Sequence, residues 1–273
     1  MSDFTFNTLK KSIKDKQSWL CVGLDPDPEK LPAGISRDPE GVFQFCTRIM
    51  EATAPHSVSF KVNTAFFEAL GPDGWECLNR VCEFSKKNFP GHFLIADAKR
   101  GDIGNTSAMY ARAFFTAMNF DAITVAPYMG SDSILPFLKF NGKWVIVLGL
   151  TSNEGANDFQ LNGKEPLYEK VIQRVSDWGT KNNLMFVAGA PRPEYLKRIR
   201  EIVPNHFLLI PGVGTQGGDL KQVLKNGMGR EGALLINASR SIIYASAEKD
   251  FSAHAAAEAH RLSAEMKAVL TEL

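Results

Sequence analysis

Cysteine is scarce in this chain, and no stretch resembles a membrane span. The four cysteines, Cys21, Cys46, Cys77 and Cys82, form no CxxC pair and match no zinc-ribbon spacing. They read as free thiols of a reducing compartment, the cytoplasm. A run of about 18 consecutive apolar residues is missing, which argues against a membrane-spanning helix. The opening Met1-Ser2-Asp3-Phe4-Thr5 leads into the charged stretch Lys10–Lys16 and lacks a signal peptide's apolar core and cleavage site. Excess charge of one sign is missing too: 31 Lys+Arg against 30 Asp+Glu leave a net +1. A surface built for nucleic acid or an anionic membrane is therefore not expected, although a local basic patch stays open. The GxSxG and GxxxxGK[ST] signatures are absent, which argues against a serine hydrolase of that class and a P-loop NTPase. Five histidines, His56, His92, His206, His254 and His260, are scattered without metal-ligand spacing and read as surface or loop residues. No metal is expected.

What is present is ordinary globular composition, 44% hydrophobic and 22% charged over 273 residues. Eight short β-rich runs punctuate it: Trp19–Asp25, Ser57–Asn63, Phe93–Lys99, Ala122–Tyr128, Lys143–Leu150, Leu184–Ala190, Phe207–Val213 and Ala233–Ser239. Most are nearly continuous in hydrophobicity, as parallel strands covered on both faces are. Amphipathic segments lie between several of them, among them Asp73–Asn88, Pro166–Lys181 and Pro193–Val203, and Ser252–Leu273 reads as a closing helix. The four tryptophans, Trp19, Trp75, Trp144 and Trp178, read as core or helix-packing residues. The alternation predicts an α/β fold, a single-domain (β/α)8 TIM barrel over residues 1–273 with short N-terminal and C-terminal helices. A doubly wound open sheet is the alternative, because closure is not visible in a sequence.

Charges appear where these apolar runs stop. The first ends Gly23-Leu24-Asp25, the second holds Phe60-Lys61-Val62-Asn63, and the third ends Asp97-Ala98-Lys99 before Arg100-Gly101-Asp102. Residues two apart on a strand share a face, so Asp97 and Lys99 are expected to point the same way. Asp25 alone reads as easily as a cap or turn residue, and Lys61 alone as half of a structural ion pair. The cluster Asp97-x-Lys99-x-x-Asp102 is harder to explain structurally, since burying several charges costs several kcal/mol per ion before pairing offsets it. A lysine between two carboxylates holds its proton. It suits proton donation to a developing carbanion better than Schiff-base chemistry.

A second signal lies further along. The seventh run continues Pro211-Gly212-Val213-Gly214-Thr215-Gln216-Gly217-Gly218-Asp219, and the eighth ends Asn237-Ala238-Ser239-Arg240. Glycines let backbone N–H groups approach an anion, a following helix adds its positive end, and Arg240 supplies a forked cation. The loops after strands seven and eight of a TIM barrel are the usual phosphate site, so a phosphomonoester is expected.

The run Asp97-Ala98-Lys99-Arg100-Gly101-Asp102-Ile103-Gly104-Asn105-Thr106 resembles the signature of the orotidine 5′-phosphate decarboxylase family. So do Gly23-Leu24-Asp25-Pro26, Phe60–Asn63, Pro211–Asp219 and Asn237–Ser241. That resemblance implies a (β/α)8 barrel that converts orotidine 5′-monophosphate to UMP and CO2 without metal or organic cofactor. The reaction is the last step of de novo pyrimidine synthesis. A homodimer with active sites at the subunit interface is implied as well. By the same resemblance, Lys61, Asp97, Lys99 and Asp102 form the catalytic set. Asp25 and Lys61 contact the ribose hydroxyls, Asp97 lies beside the departing carboxylate, and Lys99 delivers the proton to C6. Asp102 and Thr106 would be donated to the neighbouring subunit's site. Ser152 would contact the pyrimidine ring, Gln216 and Arg240 would grip the phosphate, and Asn63 would be a further ligand contact. Arg100 and Gly101 read as spacers, and at this length no fused phosphoribosyltransferase is expected. Related Mg²⁺-dependent barrels, 3-keto-gulonate-phosphate decarboxylase and hexulose-phosphate synthase, share the Asp-x-Lys-x-x-Asp strand. They place an acidic metal ligand where this chain has Lys61. A barrel that binds nucleotide without catalysis would be expected to have lost part of the charged set, which is complete here.

Overall fold

In a computed structural model, which describes residues 4–190, 193–212 and 219–272, all eight apolar runs form strands. These are β1 (Leu20–Leu24), β2 (Ser59–Asn63), β3 (Phe93–Arg100), β4 (Ala122–Val125), β5 (Trp144–Leu150), β6 (Leu184–Ala188), β7 (Phe207–Pro211) and β8 (Leu234–Ala238). Each pairs in parallel with the next, and β1 pairs with β8, so the sheet closes into a barrel. Closure removes the open-sheet alternative and leaves no free edge.

The alternation of side chains along the strands sorts them into two cores. Val22, Leu24, Phe60, Val62, Leu94 and Ala96 point outward and pack with the helices that cover the barrel, such as Pro39–Thr53 and Pro72–Asn88. Cys21, Phe93, Ile95, Trp144, Ile146, Phe207 and Leu235 belong to a separate inner cluster. Every strand therefore buries both faces, which is why the runs are continuously hydrophobic.

The inner cluster is stoppered at the N-terminal end of the strands by the helix Phe6–Lys16, whose Phe6, Leu9 and Ile13 are buried in it. Reciprocal bonds start that helix. The Thr8 N–H donates to the Thr5 hydroxyl at 3.2 Å, and the Thr5 N–H to the Thr8 hydroxyl at 2.7 Å. Phe6 meets Phe207 edge-on at 5.1 Å, and Trp144 meets Phe93 at 5.9 Å. Aromatic rings of this size contribute about 1.5–3 kcal/mol each when buried. With that end closed by hydrocarbon, a polar cavity belongs at the other.

The closing helix runs Phe251–Glu272, within one residue of its expected bounds. Two expectations need correction. His92 is not a surface residue. It is 7% exposed and stacked on Phe60 at 4.8 Å, and burial, helped by the charge of Lys16, pushes its imidazole down to about 4. His206 is likewise drawn inward, with both ring nitrogens buried. Trp75, 40% exposed, takes the helix-packing role, with one side against Phe114.

Candidate active site

Lys61 on β2 and Asp97 on β3 occupy inward positions one layer above the apolar interior, 5% and 8% exposed. The Lys61 ammonium donates to Asp97 Oδ2 at 2.6 Å, and the Lys99 ammonium donates to Asp97 Oδ1 at 2.6 Å. One buried carboxylate is thus shared by two cations. Burial pushes the Asp97 carboxyl up, but Lys61 and then Lys99 outweigh it and hold it well below the usual carboxylate range. Burial disfavours the Lys61 ammonium, and Asp97 with Asp25 more than restores it, so its pKa is raised.

Asp97 and Lys99 do converge, though not through a regular strand. The β3–β4 register runs Ala96↔Ile123 and resumes at Arg100↔Val125, so Asp97, Ala98 and Lys99 lie opposite Thr124 alone. Lys99 takes a left-handed backbone, φ 46°. A bulge of this kind re-aims a side chain. Thr124, which the sequence did not single out, bonds both the Asp97 carboxylate and the Lys99 backbone.

Two cavities meet at this cluster. One, of about 490 Å³, is lined by Lys61, Asp97, Lys99, Thr124, Ser152 and neighbours on β5–β7. The other, of about 140 Å³, is lined by Asp25, Lys61, Asn63, Asp97, Ser152 and Arg240, with Asn237 and Ser239. Volume alone does not identify the site, since a cleft of about 500 Å³ lies beside the N-terminal helix. There, however, the Lys16 ammonium is spent on the carbonyls of Ala54 and Ser57 at 2.8 and 2.7 Å.

Asp25 follows β1 and lines the smaller cavity, with its Oδ1 buried and unpartnered, an acceptor left open. Its backbone is held by Tyr244, whose hydroxyl donates to the Asp25 carbonyl at 2.9 Å and accepts the Asp27 N–H at 2.7 Å. Gly23 is required beside it, because a Cβ there would lie 1.8 Å from Ser239 Oγ. Asn63 turns its side-chain oxygen to the Ala65 N–H at 3.3 Å. Ser152 sits where the two cavities join, and Gly189 passes so close beneath it that a Cβ would lie 2.7 Å from Ser152 Cα. Gln160 braces the same loop, accepting the Thr151 N–H and donating to the Thr151 hydroxyl, both at 2.8 Å.

Other expected residues fall elsewhere. Asp102 and Thr106 line neither cavity; Asp102 Oδ1 accepts its neighbour's Ile103 N–H at 2.7 Å. Gln216 lies outside the described residues. The helix after β7, Leu220–Gly227, carries Asp219 as its cap, with the carboxylate accepting the Gln222 N–H, so that end already holds a negative group. Arg100 is no spacer. It pairs with Glu68, donates to the Ala98 carbonyl at 3.1 Å, and lies over the Tyr110 ring at 5.4 Å. Among the described residues no group of three or more His, Cys, Asp or Glu side chains is placed to hold a metal ion, and no helix is long and apolar enough to cross a membrane.

With this geometry in view, comparison with known proteins is direct. The chain is 50% identical over 271 residues to the orotidine 5′-phosphate decarboxylase of Christiangramia forsetii, covering 98% of this chain and 100% of the relative. It is 48% identical over 268 residues to that of Phocaeicola vulgatus, covering 97% and 98%. The structure of Leishmania donovani OMP decarboxylase superposes with a TM-score of 0.84 at 36% identity, covering 97% of this chain and 99% of that one. A family model matches residues 18–256, a span that contains every strand and both cavities, and the chain belongs to the orotidine 5′-phosphate decarboxylase / HUMPS family.

Proposed function

We propose that Lys61, Asp97 and Lys99 carry the decarboxylation of orotidine 5′-monophosphate to UMP and CO2, the final step of UMP biosynthesis. The observation that carries this reading is the single buried carboxylate held between two ammonium groups at the junction of two cavities. The smaller cavity takes the ribose and phosphate. Asp25, with its orphaned oxygen, and Lys61 accept and donate at the ribose hydroxyls, Asn63 lies beside them, and Arg240, with Gln216, grips the phosphate. The larger cavity takes the pyrimidine, with Ser152 at its edge.

In the reaction the C6–carboxylate bond breaks and its electron pair remains on C6. That pair lies in the ring plane, out of conjugation with the ring carbonyls, so electrostatics must stabilise it. The Lys99 ammonium stabilises it and gives up a proton to C6, CO2 departs, and UMP is left. Lys61 keeps Asp97 ionised beside the departing group. Phosphate binding far from C6 supplies energy spent at the transition state.

A homodimer completes the site, with Asp102 and Thr106 of each subunit serving the other's cavity. Supporting this are large apolar side chains left exposed on the segments that follow β3 and β4: Ile103 is 61% exposed, Met109 47%, Tyr128 89% and Met129 55%. The reaction is placed in the cytoplasm, in keeping with four buried free thiols. The test is loss of orotidine monophosphate absorbance with EDTA present. Undiminished turnover is expected; turnover that vanishes with the chelator would instead fit the Mg²⁺-dependent relatives.

A further inference from the structure

Lys99 is held in a conformation that a residue with a Cβ avoids. Its φ of 46° belongs to the left-handed region, which such side chains occupy only when their surroundings impose it. The constraint comes from the facing strand. Opposite the bulge, Thr124 is 1% exposed. Its Oγ1 accepts the Lys99 N–H at 2.9 Å and donates to Asp97 Oδ1 at 3.0 Å.

These two bonds fix one another. A backbone N–H can only donate and an ionised carboxylate can only accept, so the lone hydroxyl proton has one place to go. The same Oδ1 receives the Lys99 ammonium at 2.6 Å. A closed circuit results, from the Lys99 backbone through Thr124 and Asp97 to the tip of the Lys99 side chain. Both ends of the lysine are tied to one carboxylate oxygen.

We propose that Thr124 is a positioning residue for the proton donor, holding the β3 bulge in the one register that brings the Lys99 ammonium and the Asp97 carboxylate to the reacting carbon. This rests on Lys99 being the donor to C6, as assigned above. Proton transfer is steep in distance, and a displacement of about 1 Å can cost about a hundredfold in rate. Of the groups assigned to ribose and phosphate, Asp25 and Arg240 lie beyond β1 and β8, and Lys61 is held through Asp97 Oδ2, not through the Oδ1 that Thr124 bonds. They do not depend on Thr124, so its effect belongs in kcat and not in KM.

The experiment compares Thr124→Val, which keeps the shape and loses both bonds, with Thr124→Ser, which keeps the oxygen. Steady-state kinetics with orotidine monophosphate are measured for each, together with UMP affinity. Thr124→Val is expected to lower kcat by about tenfold or more, the scale of a lost charge-assisted bond at a reacting group, with KM and UMP affinity little changed. Thr124→Ser is expected to restore most of kcat. A residue that merely packs would show the reverse, since valine would be tolerated and serine would leave a gap. Unaltered kcat in the valine variant, a loss carried by KM, or serine as impaired as valine overturns the proposal. If the valine variant does not fold, the same kcat-against-KM split is read on Thr124→Ala. Unimpaired turnover by Lys99→Ala removes the assignment beneath it, and the proposal falls with it.

Discussion

Lys61 Nζ lies 2.6 Å from Asp97 Oδ2 across adjacent strands, and neither residue is as much as a tenth exposed. In Lys61→Met the burial that pushes the Asp97 carboxyl up remains, while only Lys99 opposes it. The acidic limb of kcat/KM should therefore move to higher pH than in the unsubstituted enzyme, with a lower plateau. The pH–rate profiles of the two proteins measure this directly, and coincident limbs would separate Lys61 from the ionisation of Asp97. The pair's contribution to stability has the matching sign. It is present between the unfolded values of roughly 3.9 for Asp and 10.4 for Lys. It is lost as pH falls through the depressed Asp97 value or rises through the elevated Lys61 value.

Arg240 lines the smaller cavity at the end of β8. Arg240→Ala should lower kcat/KM by about 2–4 kcal/mol, the range for losing a charge-assisted contact to a phosphate. A kcat/KM equal to that of the unsubstituted enzyme would remove Arg240 from the phosphate end.

Subunit sharing of Asp102 can be tested by mixing. Lys99→Ala and Asp102→Ala are each expected to be nearly inactive while still binding UMP. In a mixed dimer one site carries both lesions and the other carries neither. Co-refolded equimolar mixtures should recover about a quarter of the native sites. No recovery, with mixed dimers demonstrated by native mass spectrometry, would return Asp102 to its own subunit's site.

His206 has both ring nitrogens buried without partners, and its imidazole is pushed down to about 4, first by burial and then by the charges of Arg200 and Lys181. Between that value and the ordinary 6.5 of the unfolded chain, the unfolded state binds the extra proton, so stability falls on acidification through this window. His206→Leu should flatten that slope in urea denaturation measured from pH 7 to pH 4. A slope identical to that of the parent would assign it elsewhere, to His92 first.

Much of this was legible in the chain. Strands buried on both faces must be continuously apolar, so all eight runs stood out, and charges ending such runs had few structural explanations. What stayed hidden depends on backbone irregularity and on contacts distant in sequence. Spacing by two correctly brought Asp97 and Lys99 together but missed the bulge that does it, because nothing in Asp-Ala-Lys announces a left-handed lysine. Thr124 reads as an ordinary strand threonine until β3 is laid beside β4. Arg100 looks like filler between two acidic residues; its partner Glu68 is supplied by another part of the chain. Tyr244 reaches the Asp25 backbone across more than two hundred residues, a separation no local pattern encodes. His92 is buried by the tertiary stacking of Phe60, which overrides its loop position.

The two lysines that share Asp97 differ sharply in access to water: the side chain of Lys61 is 6% exposed and that of Lys99 51%. A donor spends its proton once per catalytic cycle and must recover it before the next. As the proposed donor, Lys99 would recharge from bulk solvent with no relay of intervening groups, while Lys61, sealed off, would stay charged and keep the carboxylate from capturing the proton in transit. Such a site would reset itself between substrates at a pace set by buffer and pH outside the barrel, not by a conformational step within it.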